Sequence, residues 1–167
     1  METKFVAILM GSDSDLPVMD AAVDILKRFG VAIEVKVTSA HRTPTETQAY
    51  VQSAESRGCQ AFIAGAGMAA HLAGAIAAQT TRPVIGVPID AGPLQGFDAL
   101  LSTVQMPGGI PVATVAIGKA GAKNAGYLAV QMMALSDASL ADALQRERLE
   151  NAQAILEKSE AIGQRYL

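Results

Sequence analysis

Three short segments hold residue types that could carry chemistry. Ser39-Ala40-His41-Arg42 sets an imidazole beside a permanent planar cation. The imidazole titrates near neutral pH and can give or take a proton, and the guanidinium suits a carboxylate or phosphate. A lone histidine is often structural, but this one sits where a strand should end, facing a turn built to hold an anion. That turn is Gly11-Ser12-Asp13-Ser14-Asp15, which leads into a predicted helix. Free N–H groups and the helix dipole favour an anion there, and the serines add donors. Asp15 either caps the helix or accepts hydrogen bonds from sugar hydroxyls. A cap explains one such residue, not two serines and two aspartates in one turn.

The third segment, Gly65-Ala66-Gly67-Met68-Ala69-Ala70, has the form G-x-G-x-x-A, with Asp90 ending the next predicted strand. In outline that is a dinucleotide-binding fingerprint. It falls on the third strand rather than the first, however, and Pro88 interrupts the approach to Asp90. The competing reading is that the glycines let the backbone approach some other ligand. His71, just beyond, either lines the same crevice or packs its own loop. Gly118–Asn124 lacks the spacing of a phosphate-binding loop and reads as a helix entry. Cys59 sits between a helix and a strand, away from the strands' carboxyl ends, and is not read as a nucleophile. No His, Cys, Asp and Glu cluster has metal-ligand spacing, so no metal is expected.

The elements that must position these segments follow from periodicity and punctuation. Apolar runs Phe5–Met10, Ala32–Val37, Ala61–Ala64, Val84–Val87 and Val112–Ile117 predict five strands, alternating with helices over 16–29, 43–57, 69–80, 96–105 and 123–136. Pro17 and Pro44 fall in first turns, Gly30 and Gly58 at helix ends, and Thr43-Pro44-Thr45-Glu46 reads as a capping box. The alternation predicts an α/β fold: a three-layer, doubly wound, parallel five-stranded sheet of flavodoxin-like type. In such a sheet ligands bind outside the carboxyl ends of the strands, where all three segments lie. The tail, about Ser139–Tyr166, reads as a long amphipathic C-terminal helix, which either closes its own domain or reaches a neighbouring subunit.

Composition narrows the class. A chain of 167 residues suits one domain, 1–167, and half of its residues are hydrophobic against 17% charged, which excludes a disordered chain. A net charge of −3 without a basic cluster argues against nucleic acid. No apolar run reaches the roughly 18 residues of a membrane span, so no membrane partner is expected. A single cysteine fits a reducing, cytoplasmic setting, and the first ten residues show no leader pattern. Abundant Gly and Ala with so large an apolar fraction suggest an oligomer interface.

Taken together, Met10–Asp15, Ser39–Pro44 and Ala64–Leu72 resemble the N5-carboxyaminoimidazole ribonucleotide mutase family of bacterial de novo purine synthesis. Gln105–Val112 and Ala116–Asn124 extend the resemblance, which covers about Lys4 to Ser136. It implies an isomerase that moves a carboxylate from the exocyclic N5 to C4 of an imidazole ribonucleotide, with no cofactor, ATP or metal. By the same resemblance His41 is the general acid and base. Ser12, Ser39 and Arg42 hold the 5′-phosphate or nearby oxygens, Asp15 takes the ribose hydroxyls, and Gly67 with neighbouring backbone frames the migrating carboxylate. His71 is counted with the substrate-binding residues. The resemblance also implies a homo-octamer, with residues 138–167 packing on a neighbouring subunit. A sister class carboxylates the aminoimidazole ribonucleotide with free CO2, and the residues after His41 and after the glycines are closer to the mutase class. Met68 departs from the family's expected glycine and would narrow the pocket. A dinucleotide-dependent oxidoreductase and a non-catalytic nucleotide-binding module are the competing expectations.

Overall fold

The computed structural model describes residues 4–166. Five strands form one sheet: β1 Phe5–Met10, β2 Ala32–Val37, β3 Cys59–Gly67, β4 Val84–Ile89 and β5 Ala113–Thr114, in the order β2-β1-β3-β4-β5. Every neighbouring pair is parallel. Parallel strands need crossovers, supplied here by α1 Leu16–Arg28, α2 Pro44–Ser56, α3 Leu72–Ala77 and α4 Phe97–Val104. The helix α5 Lys119–Ala134 follows β5, and α6 Ala138–Gly163 follows α5. The chain divides into two compact units, one through Val130 and one from Gln131 onward.

The first unit holds the sheet. β1 and β4 are buried along their whole lengths, as expected of strands covered on both faces. Phe62, Ile8, Leu9, Met10 and Ile63 fill the centre. Small residues set how closely the layers approach. A Cβ at Gly65 would overlap the Met19 thioether of α1, and one at Gly121 would overlap the Ala116 carbonyl. Gly30 and Gly58 turn the chain after α1 and α2 at φ +69° and +97°, as their placement predicts. Between β2 and α2, Arg57 pairs with Glu34, and Tyr50 donates to the same carboxylate at 2.9 Å. The guanidinium holds the Glu34 carboxyl below the usual range. The pair is part-exposed, so it fastens the crossover more than it adds stability.

Several boundaries differ from the sequence reading, β4 for instance running to Ile89, and the larger differences have a visible reason. β3 runs on through Gly67 and α3 begins only at Leu72, because the glycines are strand residues packed against other elements rather than a turn. β5 is two residues long instead of six. The Pro88 carbonyl of β4 faces that side and accepts from Gly118 N, but Pro88 has no N–H to continue the ladder. α5 starts at Lys119, so most of the Gly118–Asn124 segment is already helix. The capping box at Thr43 does not form either, since its hydroxyl is engaged with Ser39. One forms instead at Ser12, closed by Asp15.

The second unit contains α6, capped by Asp137, whose Oδ1 accepts from Ser139 N and Leu140 N. Leu149, Ile155, Leu156 and Ile162 are exposed along it. No helix among the described residues is long and apolar enough to cross a membrane.

Close layering makes Gly121 the sharpest test of the first unit. Gly121→Ala forces a backbone shift and should cost about 1–3 kcal/mol in urea denaturation. Gly108→Ala, with no atom near its added Cβ, should stay within about 0.5 kcal/mol of the parent.

Candidate functional site

The ends of β1 and β2 stand level, and β3 runs two residues beyond them. Met10 of β1 lies opposite Val37 of β2 and Gly65 of β3, so the loops that follow leave the sheet side by side. The ladder continues one step into them, with Thr38 N donating to Met10 O at 2.9 Å and Gly11 N to Gly65 O at 3.1 Å. Around these ends opens a cleft of about 550 Å³, within the size range of small-molecule sites. Ser12, Asp15, Ser39, His41, Arg42, Gly67 and His71, all chosen from sequence, line it. The structure thus brings every expected site residue to one place.

The Ser39–Arg42 loop is held from beneath by threonines. Thr43 Oγ1 accepts from Ser39 N at 2.9 Å, and the buried Thr38 hydroxyl pairs with Thr47 at 2.6 Å. Ser39 Oγ accepts from both His41 N and Arg42 N, at 3.3 and 3.1 Å. With its lone pairs so used, the Ser39 O–H is left to donate into the cleft. Arg42 Nη2 reaches across to the Gly11 carbonyl at 3.2 Å, placing a fixed cation between the first two loops.

In the first loop, Ser14 Oγ lies 2.9 Å from Ser12 Oγ, which donates in turn to Asp13 at 3.1 Å. These rotatable, exposed hydroxyls can turn to an incoming anion. Asp15 is buried, and its Oδ2 accepts from Ser12 N at 3.0 Å. It closes the capping box of the short turn 13–15 and makes no side-chain cap to α1 itself, and it also borders the cleft.

The geometry the sequence could not foresee is a histidine pair. His41 Nε2 and His71 Nδ1 are 2.6 Å apart, with the rings edge to face at 4.8 Å between centroids. One nitrogen of the contact must carry the hydrogen and the other a lone pair. His71 thus has the cleft-lining place, not a purely loop-packing one.

Gly65 and Gly67 offer no phosphate cradle. Both lie in β3, Gly67 packed against Ala91, and the helix beyond starts at Leu72. The dinucleotide reading loses its structural basis there. The chain after β4 contributes only Ala91 to the cleft, and the Gly118–Asn124 segment contributes nothing. Ala66, Ala69, Leu72 and Ala91 make one wall apolar, and only Ala91 lies outside the segments singled out from sequence. Among the described residues, no group of three or more His, Cys, Asp or Glu is placed to hold a metal ion.

Comparison with known proteins agrees in family and in fold. Residues 5–154 match the family model described as AIR carboxylase. The N5-carboxyaminoimidazole ribonucleotide mutase of Bacillus subtilis is 53% identical over 157 residues, covering 94% of this chain and 97% of that one. The mutase of Synechocystis is 53% identical over 163 residues, covering 96% and 92%. Among solved structures, Treponema denticola PurE superposes with a TM-score of 0.83 at 31% identity, covering 92% of this chain and 95% of that one.

Burial gives Asp15 a pH signature that needs no ligand. Loss of solvent, then the nearby Asp13 charge, raise its carboxyl above the usual aspartate range, against the lowering pull of the Ser12 and Gly11 backbone. An acid whose folded value is raised stabilises the fold while protonated, below its unfolded value. That contribution is lost as pH rises through the folded value. Asp15→Asn removes the penalty of ionising. The stability of the parent relative to Asp15→Asn should therefore fall as pH is raised from below the ordinary aspartate range to neutrality. Paired urea melts at the two pH values measure it.

Proposed function

The chain belongs to the AIR carboxylase family, and on that premise we propose that it is the isomerase of de novo purine synthesis that converts N5-carboxyaminoimidazole ribonucleotide to 4-carboxy-5-aminoimidazole ribonucleotide. The observation that carries the reading is a single cleft that holds His41 against His71 and is lined as well by Ser12, Asp15, Ser39 and Arg42.

In this reading the Ser39 hydroxyl, the Arg42 guanidinium and the Ser12 hydroxyl take the 5′-phosphate and nearby oxygens. Asp15 takes the ribose hydroxyls, and Gly67 with its neighbours frames the carboxylate. His41 handles the proton. As an imidazolium it gives a proton to N5 while the N5–carboxylate bond breaks, its electron pair passing to nitrogen and CO2 being set free. The aminoimidazole C4 then attacks that CO2, and His41 takes the C4 proton as aromaticity returns. The proton given up is the proton recovered, so the cycle closes without an outside acid, base or cofactor. His71 supports it by holding the lone pair or hydrogen that fixes which tautomer of His41 is present.

The single buried thiol supports a reducing, cytoplasmic setting. Exposed Leu149, Ile155, Leu156 and Ile162 support residues 138–167 packing on a neighbouring copy, in a homo-octamer. Native mass spectrometry should give eight chains for the parent and smaller species for Leu149→Glu combined with Ile155→Glu.

Turnover of the carboxyamino ribonucleotide should be independent of added bicarbonate. Dependence on bicarbonate, with consumption of the decarboxylated ribonucleotide, would assign the chain to the carboxylase class. His41→Asn should lower kcat about 100- to 10,000-fold, the usual range for removing a general acid and base. Turnover left intact would overturn the role of His41.

A further inference from the structure

Met68 occupies a position in which its side chain is a liability unless it does something. Its φ is +54°, in the left-handed region, which strains a residue with a Cβ and leaves glycine unstrained. Burial does not offset this, because Met68 is 55% exposed. Strain of this kind persists where the surroundings over-determine the backbone, and it clusters at functional sites.

The surroundings do hold this backbone. Ala70 N donates both to Met68 O at 2.9 Å and to Ser102 Oγ of α4 at 3.0 Å. On the other side Gly67 is packed against Ala91. The peptide is thus fixed at both ends while the thioether, with three rotatable bonds, stays free to move. The side chain runs over the loop after β4, so that a Cβ on Gly92 would lie 3.4 Å from Met68 Cγ. It also lines the cleft that holds His41 and His71, beside the methyl side chains of Ala66, Ala69 and Ala91.

Building on the proposed mutase reading, we infer that Met68 is a retention residue, an apolar cover over the reacting end of the cleft that keeps the CO2 freed from N5 beside C4. The step needs such a cover. Freed CO2 is small, neutral and held by no ion pair, so only walls without an open path to water keep it in place until the new carbon–carbon bond forms. A flexible methionine resting on Gly92 can open for the substrate and lie back over it.

The test follows label rather than rate. Unlabelled carboxyamino ribonucleotide is turned over in ¹³C-bicarbonate buffer containing carbonic anhydrase, with an enzyme-free blank subtracted. Mass spectrometry then reads the labelled fraction of the product, and the decarboxylated by-product is measured alongside. The parent should give little of either. Met68→Gly should raise both several-fold, and Met68→Leu, which restores an apolar cover, should stay near the parent. Relief of the left-handed strain keeps Met68→Gly at least as heat-stable as the parent, which thermal melting checks, and Met68→Ala provides a second opened variant. Equal labelling in the parent and both opened variants overturns the inference, whatever happens to kcat. So does a parent that already equilibrates fully with the bulk label. A parent that leaves the substrate unchanged overturns the mutase reading itself, and this inference with it.

Discussion

Hydrogen bonding on both edges of β1 is the constraint from which the site follows. A strand flanked by parallel neighbours has its register fixed twice, and a slip of one residue on either side would turn its apolar faces the wrong way. Phe5–Met10 is buried throughout, so neither slip is tolerable. Because Met10 faces Val37 and Gly65 at once, the connections after β1 and β2 leave the sheet at one height, and the end of β3 stands beside them two residues further on. The Ser12 and Ser14 hydroxyls, the His41–Arg42 dipeptide and the glycine-rich wall come together for that reason. Their separation along the chain is cancelled by the pairing of apolar strands that carry no chemistry themselves.

The same geometry explains which features the sequence made legible. Local punctuation read well: Pro17, Pro44, Gly30 and Gly58 bound α1 and α2 as expected, and β1 and β2 have the predicted limits. The residues chosen as a candidate site also fall in one cleft, since strand ends are where a doubly wound sheet leaves room for a ligand. Features decided by contact at long range did not. Gly65 looks like a loop residue until Met19 is seen against it, and Thr43 looks like a cap until its hydroxyl is found on Ser39. The truncation of β5 depends on which side of β4 the Pro88 carbonyl faces. The His41–His71 contact joins two loops whose relative height is known only once the register is.

Polar groups are distributed to match. Beneath the Ser39–Arg42 loop lie buried threonines, each hydroxyl bonded, giving a firm floor. Facing the solvent are serine hydroxyls bonded mainly to one another, which a ligand can recruit without stranding a buried group. Among the described residues no buried side-chain nitrogen or oxygen lacks a partner. The floor is therefore settled before any ligand arrives, and the adaptable groups are those already in water.

Cys59, the chain's one cysteine, opens β3 with its thiol fully enclosed and bonded to the Ala61 carbonyl at 3.3 Å. Burial pushes that thiol up to about 11, so at neutral pH almost none is thiolate and none of it is accessible. To maleimides and other thiol-directed probes the native fold is thus a blank surface. A cysteine placed by design on an outer helix would be its sole labelling point, with no need to remove the natural one first. Conversely, the appearance of reactivity in the unaltered chain would report that the β3 edge of the core had opened.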